Sequence, residues 1–289
     1  MQDIRSEIQK INEIIPIPST VTLILSRSMQ GEMANSKLIQ LVDSDSVLTA
    51  LVLRAANSAF YSIRAGVATV SHAVTMLGYT EVSRLVLTYE LRQRIFTLDP
   101  QQRDFLNRLW LHSLCTATTA RIIARYLRLS TGGEEFTAGL LHDMGKIVLA
   151  QHYSFSRLKV REMVEELFLS DLEAERQLFA MGHDEIGEYL GQNWRLPAVI
   201  TDTMRYHHDP AFDGPHRIIT SIVRTADLLA EQWNLGITER STPVPVPEDP
   251  CWSVLTEQFP VLTEEPFETF EESVRMEFEN NLAFSELFS

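Results

Sequence analysis

Apolar residues recur at three- and four-residue steps along most of this chain, and that spacing restricts the fold more than any other feature. In SKLIQLVDSDSVLTALVLRAAN they fall at Leu38, Leu41 and Val42, then at Leu48, Leu51, Val52 and Ala55. Such a row lies along one side of a helix, so each segment must bury a stripe against other helices. Asp45 or Ser46 suits the N-cap of the second helix, because a short side-chain oxygen accepts from its first free N–H groups. Asn57 suits a left-handed C-cap. VSHAVTMLGYTEVSRLVLTYEL predicts two more helices, broken at Gly78. A first helix should stop before Pro16, with Ile17-Pro18-Ser19 starting the next. No stretch reads as a strand, and the Pro-Val repeat of 242–247 suits extended polyproline. The expectation is an all-α protein with short connections.

Two boundaries are predicted, at TLDPQQR (97–103) and at STPVPVPEDP (241–250), which has four prolines in ten residues. They divide the chain into 1–100, 101–240 and 241–289. The second boundary reads as a stiff spacer or an ordered strap. Beyond it Phe267, Phe270 and Val274 keep helical spacing, which fits either a docked amphipathic helix or a partner-binding segment.

The 289 residues are 45% hydrophobic and 22% charged, enough to bury a sizeable core. No run approaches the ~18 apolar residues of a membrane span, and the first fifteen residues lack the apolar centre of a secretory signal. A cytoplasmic location without membrane attachment is expected. Cys115 and Cys251 form neither a disulfide framework nor a Cys-rich zinc pattern. A net charge of -14 argues against broad nucleic-acid binding, although eight acids against one base in 264–289 supply half of it.

The chemistry concentrates in histidines. Asp227 extends the Ile219–Val223 row of a helix, and His112 shares a helical side with Phe105, Leu109 and Thr116. One such residue is ordinarily a core polar group satisfied by local hydrogen bonds. The set is larger, however. His142 and Asp143 are adjacent in GLLHDMGK, and about 100° apart on a helix they would flank one point. Lys146 follows four residues after His142, near the same face. His207-His208 repeat the adjacent arrangement, and His183 stands between the pairs. Imidazole and carboxylate without thiolate suit Fe, Mn, Ni, Co or Zn, as one or two divalent ions. Two metals would polarise a phosphate and generate hydroxide, and Lys146 would act as a catalytic residue by stabilising negative charge. Arg205 near His208 suits either an anion contact or the surface. Gly132-Gly133 lacks the phosphate-loop pattern, and no Ser-His-Asp or Cys-His pair stands out.

His112…His142-Asp143…Asp227 resembles the His…His-Asp…Asp signature of the HD superfamily of metal-dependent phosphohydrolases. SDSVLTALVLRAANSAFYS, VSHAVTMLGYTEVSRLVL, LWLHSLCTA, FTAGLLHDMGKIVL, HDEIGEYLGQNWRLP and HHDP resemble the HDOD family, the HD-related output domain of bacterial signalling proteins. The resemblance runs over roughly residues 8 to 235, in order. It implies an N-terminal helical bundle packed on an HD-type helical core. It also implies a regulatory or output role in signal transduction, with receiver or second-messenger domains as partners. The metal ligands that the resemblance implies, His112, His142, Asp143 and Asp227, are all present. His183, His207 and His208 stand where the related HD-GYP phosphodiesterases resemble them in second-metal ligands, and Lys146 matches a basic residue there. The Gly-Tyr-Pro element is missing: DPAFDGPHRI follows His208, which removes the implication of cyclic di-GMP hydrolysis.

Two readings follow. One is a signalling module acting through protein partners, with a metal pocket that is occupied or empty. The alternative is a metal-dependent phosphohydrolase acting on a phosphoester or nucleotide. A small phosphorylated ligand suits both. A scaffold recruiting another protein through its acidic tail is a third, weaker reading. With no receiver or DNA-binding domain within the 289 residues, input and output are expected from other chains or a longer parent. Either leading reading requires His112, His142, Asp143 and Asp227 to surround one centre.

Overall fold

The structure is a computed structural model describing residues 21–22, 24, 33–58, 61, 66–96, 102–152, 156–209 and 211–281. Among these residues the regular elements are helical and there is no strand. The chain divides into two compact units, one running to Arg94 and one covering Ile95–Phe278.

The first unit contains α1 (Met33–Asp43), α2 (Ser46–Ala56), α3 (Val70–Leu77) and most of α4 (Tyr79–Phe96). Leu38, Val42, Leu48, Val52, Val70, Val74, Val82 and Val86 form its core, so the three- and four-residue steps mark the buried stripes. Asp45 caps α2, its Oδ1 accepting from Val47 N at 2.7 Å and Leu48 N at 3.1 Å. Asn57 ends α2 with φ -93°, so it is not left-handed as expected. Its side chain instead clasps the Val67 backbone, accepting from N and donating to O at 2.8 Å each. Two such bonds fix the turn without positive φ. Gly78, at φ 86°, separates α3 from α4. The expected helix before Pro16 and the stop at 17–19 lie outside the described residues.

The second unit is built on α5 (Arg103–Tyr126), whose residues from Leu109 to Ala124 are almost all buried. Around it lie α6 (Glu134–Leu141), α7 (Met144–His152), α8 (Ser156–Leu167), α9 (Asp171–Phe179), α10 (His183–Asn193), α11 (Ala198–Tyr206) and α12 (Arg217–Gln232). Helices α6 and α12 pack on α5 and on each other, α10 packs on α7 and α11, and α11 also packs on α6.

The proline-rich stretch after α12 is an ordered strap. Ser241 Oγ donates to Val164 O at 2.8 Å, Val244 O accepts from Gln232 Nε2 at 2.9 Å, and Asp249 caps α13 (Pro250–Gln258) by accepting from Cys251 N at 2.9 Å. The last helix, α14 (Phe267–Asn280), buries Phe270, Val274 and Phe278. Phe270 packs against Trp252 and Tyr126, and Phe278 against Trp233. Its apolar stripe is therefore docked; Glu271 accepts from Trp233 Nε1 and Glu277 pairs with Arg125, each at 2.9 Å, and Glu268, Glu272 and Glu279 are exposed. Among the described residues no helix is long and apolar enough to cross a membrane.

Candidate metal centre

Five segments of the second unit converge. Helix α5 carries His112 at mid-length, α10 begins with His183, and α12 presents Asp227. His142 and Asp143 occupy the two-residue turn between α6 and α7, and His207 and His208 follow the last residue of α11. This corrects the placement of the His142-Asp143 pair on a helix. His142 keeps helical dihedrals, φ -52° and ψ -39°, so the apolar period passes through the turn while the axis changes direction. Two glycines permit the approach. A Cβ on Gly145 would overlap the His183 carbonyl, and one on Gly236, at φ +99°, would meet His112 N at 2.6 Å.

The predicted four meet. His112 Nε2 lies 2.8 Å from Asp227 Oδ1 and 3.8 Å from Asp143 Oδ2. His142 Nε2 lies 3.5 Å from Asp143 Oδ2 and 3.7 Å from Asp227 Oδ1. All four side chains are fully buried. A second cluster adjoins them through Asp143. His183 Nε2 is 3.4 Å from Asp143 Oδ1 and 3.0 Å from His208 Nε2, and His207 Nε2 is 3.8 Å from Asp143 Oδ1. His208 Nε2 is 3.1 Å from Glu239 Oε1.

The donor set fits a divalent ion on three grounds. First, the imidazoles are oriented. His142 Nδ1 lies 2.7 Å from Gly139 O and His207 Nδ1 3.0 Å from Thr203 O. A carbonyl only accepts, so each Nδ1 carries the hydrogen, and the Nε2 lone pair of the neutral ring faces the centre. His183 Nδ1 is held at 2.7 Å by Glu175 Oε2.

Second, the Nε2 atoms of His112, His142 and His207 and the Oδ1 atoms of Asp143 and Asp227 are buried without a hydrogen-bond partner. The 2.8 Å contact of His112 with Asp227 is close but not directed as a hydrogen bond, and we read it as electrostatic. Each unsatisfied buried group costs about 1–3 kcal/mol, so such a collection calls for a shared partner. Third, ligand atoms about 2.1 Å from one ion stand roughly 3.0–3.4 Å apart. The contacts in both clusters scatter about that spacing.

The electrostatics keep both aspartates ionised and His207 neutral, while the acids beside His183 and His142 favour a proton that a metal would have to displace. Burial alone would raise the Asp143 carboxyl, but Lys146, His142 and His183 outweigh it and hold it far below the usual range. Burial and the nearby Glu239 carboxylate oppose ionisation of Asp227, but His112, His142 and Arg224 hold it low as well. His183 is pushed up to about 9, because the Glu175 carboxylate overcomes the burial that would lower it. Burial, together with the neighbouring His208, His142 and His183, drives His207 well below its ordinary value, so its ring stays neutral and able to ligate.

Lys146 is buried among acids. Its Nζ donates to Asp143 Oδ2 at 2.9 Å and to Glu239 Oε1 at 2.6 Å. Arg205 donates to Asp184 Oδ2 at 2.5 Å, and lies 3.4 Å from Glu188, so it is already paired with carboxylates. Both cysteines are buried, and burial pushes each thiol up to about 12.

Sequence reasoning missed four participants. Arg224 and Glu231 lie three residues before and four after Asp227 on the same face, so helical spacing held a signal for both. Glu175 supports His183 from α9 with only weak local indication. Glu239 sits in the irregular segment after α12, where no periodicity operates, yet it reaches Lys146, Arg224 and His208.

The HDOD domain model matches residues 14–210, and the chain belongs to this family. Three solved structures are similar. An HDOD domain protein of unknown function from Geobacter sulfurreducens is 27% identical, with 99% of this chain and 97% of that one covered, at a TM-score of 0.76. A candidate signal transduction protein from Marinobacter aquaeolei VT8 is 22% identical, with 99% and 61% covered, at 0.73. A candidate phosphohydrolase from Shewanella amazonensis SB2B is 19% identical, with 99% and 98% covered, at 0.70. The latter two show a shared fold. The chain spans 42% of the length of an uncharacterised Treponema pallidum relative, which is 24% identical over 225 residues.

Proposed function

We propose that this chain is a bacterial signalling module of the HDOD type that retains a divalent-metal pocket and acts through protein partners. Family membership and the Marinobacter relative support the signalling role. One observation carries the pocket: five buried ligand-type atoms without hydrogen-bond partners, Nε2 of His112, His142 and His207 and Oδ1 of Asp143 and Asp227, converge from four segments. In this reading His112, His142 and Asp227 hold one ion and Asp143, His183, His207 and His208 a second, with Asp143 between them; the Glu239 carboxylate lies within ligand distance of that second group. A bound ion would supply charge neutralisation and, with an open position, an activated water. The chain's own residues orient the ligands: Gly139 and Thr203 carbonyls fix two histidine rings, and Glu175 fixes a third. Lys146 is bonded to Asp143 and to Glu239, a carboxylate within the second cluster, so its charge is already neutralised, which favours a regulatory pocket over a standing catalytic one.

A second reading, a metal-dependent phosphohydrolase acting on a phosphoester or nucleotide, is supported by a cavity of about 280 Å3 beside His207 and His208. Its wall includes Arg176, Arg224 and Arg240, which could turn to a phosphate, and the acids Glu173, Glu239 and Asp249, which pair with two of them. The Shewanella relative is consistent with that chemistry. Receiver or second-messenger domains remain the proposed partners.

The test is metal content per chain by elemental mass spectrometry on untagged protein prepared without chelator. One or two equivalents of Fe, Mn, Ni, Co or Zn are expected, with loss in the His142→Ala/Asp143→Ala double variant. Folded wild-type protein that refuses added metal would refute the pocket. Turnover of phosphoesters by the loaded protein would favour the second reading.

A further inference from the structure

The Glu239 carboxylate is buried among basic groups, with Oε1 3.1 Å from His208 Nε2 and within ligand distance of the second histidine cluster. Its Oε1 accepts from Lys146 Nζ at 2.6 Å and its Oε2 from Arg224 Nη1 at 3.2 Å, so one carboxylate spans both cations. Each cation also holds a carboxylate of the metal pocket, Lys146 bonding Asp143 at 2.9 Å and Arg224 bonding Asp227 at 2.7 Å. The two cations therefore link the proposed ligands to the place that Glu239 fills. Beside it lies the cavity of about 280 Å3, lined by Glu239, Arg224, His207 and His208 and flanked by Arg176 and Arg240.

The attachment of Glu239 separates its backbone from its side chain. Its N–H donates to Glu231 Oε1 at 3.2 Å, and its carbonyl accepts from Asp171 N at 2.8 Å. The backbone is tied on both sides, whereas the carboxylate is held only by side chains, those of Lys146, Arg224 and His208, and borders the cavity. A rotamer change moves it out of the gap without unfolding the strap.

We propose that Lys146 and Arg224 form an anion subsite for the phosphate of a small phosphorylated ligand, and that Glu239 is its built-in occupant, displaced toward the cavity when that phosphate enters. This rests on reading the histidine cluster as a ligand pocket, but it requires neither metal nor turnover. A phosphate group matches the pair better than a carboxylate does. It carries up to two charges and three oxygens, and guanidinium with ammonium meets them by charge-assisted bonds. The subsite is thus self-occluded, and apparent affinity in the wild type is reduced by the fraction of chains with Glu239 in place.

The test is titration of the full chain with inorganic phosphate in chelator, read by calorimetry, for wild type, Glu239→Gln, Glu239→Ala and Arg224→Ala/Glu239→Ala. Circular dichroism and thermal unfolding report the fold of each. Phosphate should bind Glu239→Ala at least about tenfold more tightly than wild type, equivalent to ~1.4 kcal/mol. Glu239→Gln, which keeps the shape and loses the charge, should also gain affinity. The double variant should lose the gain. If Glu239→Ala does not fold, Glu239→Gln decides alone. A folded Glu239→Gln that binds phosphate no better than wild type overturns the proposal. So does loss, in that variant, of metal that the wild type holds, because Glu239 would then be a ligand and not an occupant. Wild type that takes up no metal refutes the metal reading and leaves the phosphate result to stand separately.

Discussion

The Nε2 atoms of His183 and His208 lie 3.0 Å apart, although the residues are 25 positions apart and on different segments. That separation suits two ligands of one ion. Without an ion, one ring must donate and the other accept. The Glu175 carboxylate favours a proton on His183, and burial keeps His208 neutral.

Glu175→Gln should weaken metal binding by roughly 10–100-fold while the fold persists, since outer carboxylates orient ligating histidines and raise their basicity. Competition with a chelator of known affinity measures it. An unchanged affinity would show that His183 does not ligate.

Gly145→Ala should destabilise the chain by about 1–3 kcal/mol, because the new methyl meets the His183 carbonyl and backbone must shift. Urea unfolding at constant slope reports the loss. A variant as stable as wild type would mean that α7 and α10 need not approach so closely.

Phe270→Ala should cost about 3–5 kcal/mol. The ring is 3% exposed and packs between Tyr126 and Trp252. Chemical denaturation checks this. A negligible loss would return the last helix to the alternative of a loosely held partner-binding segment.

Asp171 supplies a pH dependence. Burial is the main cause that raises its carboxyl to about 8; Lys146 opposes the shift, and Glu175 and Glu239 reinforce it. The unfolded value is near 3.9. Between the two values the folded state holds a proton that the unfolded chain has released. This contribution to stability is complete below about pH 4 and fades as pH rises toward 8. Asp171→Asn should flatten that part of the stability profile in a pH series of thermal unfolding. An unaltered slope would contradict the assignment.

The helices were legible because burial imposes a period on α1 to α4, α5 and α12, and α14 showed its stripe in Phe270 and Val274. The cluster was legible where its members lie on such faces, as His112 and Asp227 do, or in adjacent pairs within the family pattern. The turn at His142-Asp143 was hidden because its dihedrals continue those of a helix. Asn57 misled because its side chain, not its backbone angle, makes the turn. Glu239 was illegible for a further reason: its role depends on where the chain returns after α12, which no local pattern encodes.

That return has a consequence for how such a centre can diverge. The family model ends at residue 210, yet Arg224, Asp227 and Glu239 all follow it. The five histidines, Lys146 and Glu175 therefore lie in one stretch of chain, and Asp227 with two of the charges around it in another. In the proposed reading, a substitution at 239 alone would change what the cage admits while every residue covered by the family model stays in place. Two proteins indistinguishable by that signature can thus differ in whether the chamber answers to a small molecule or only to its own side chain.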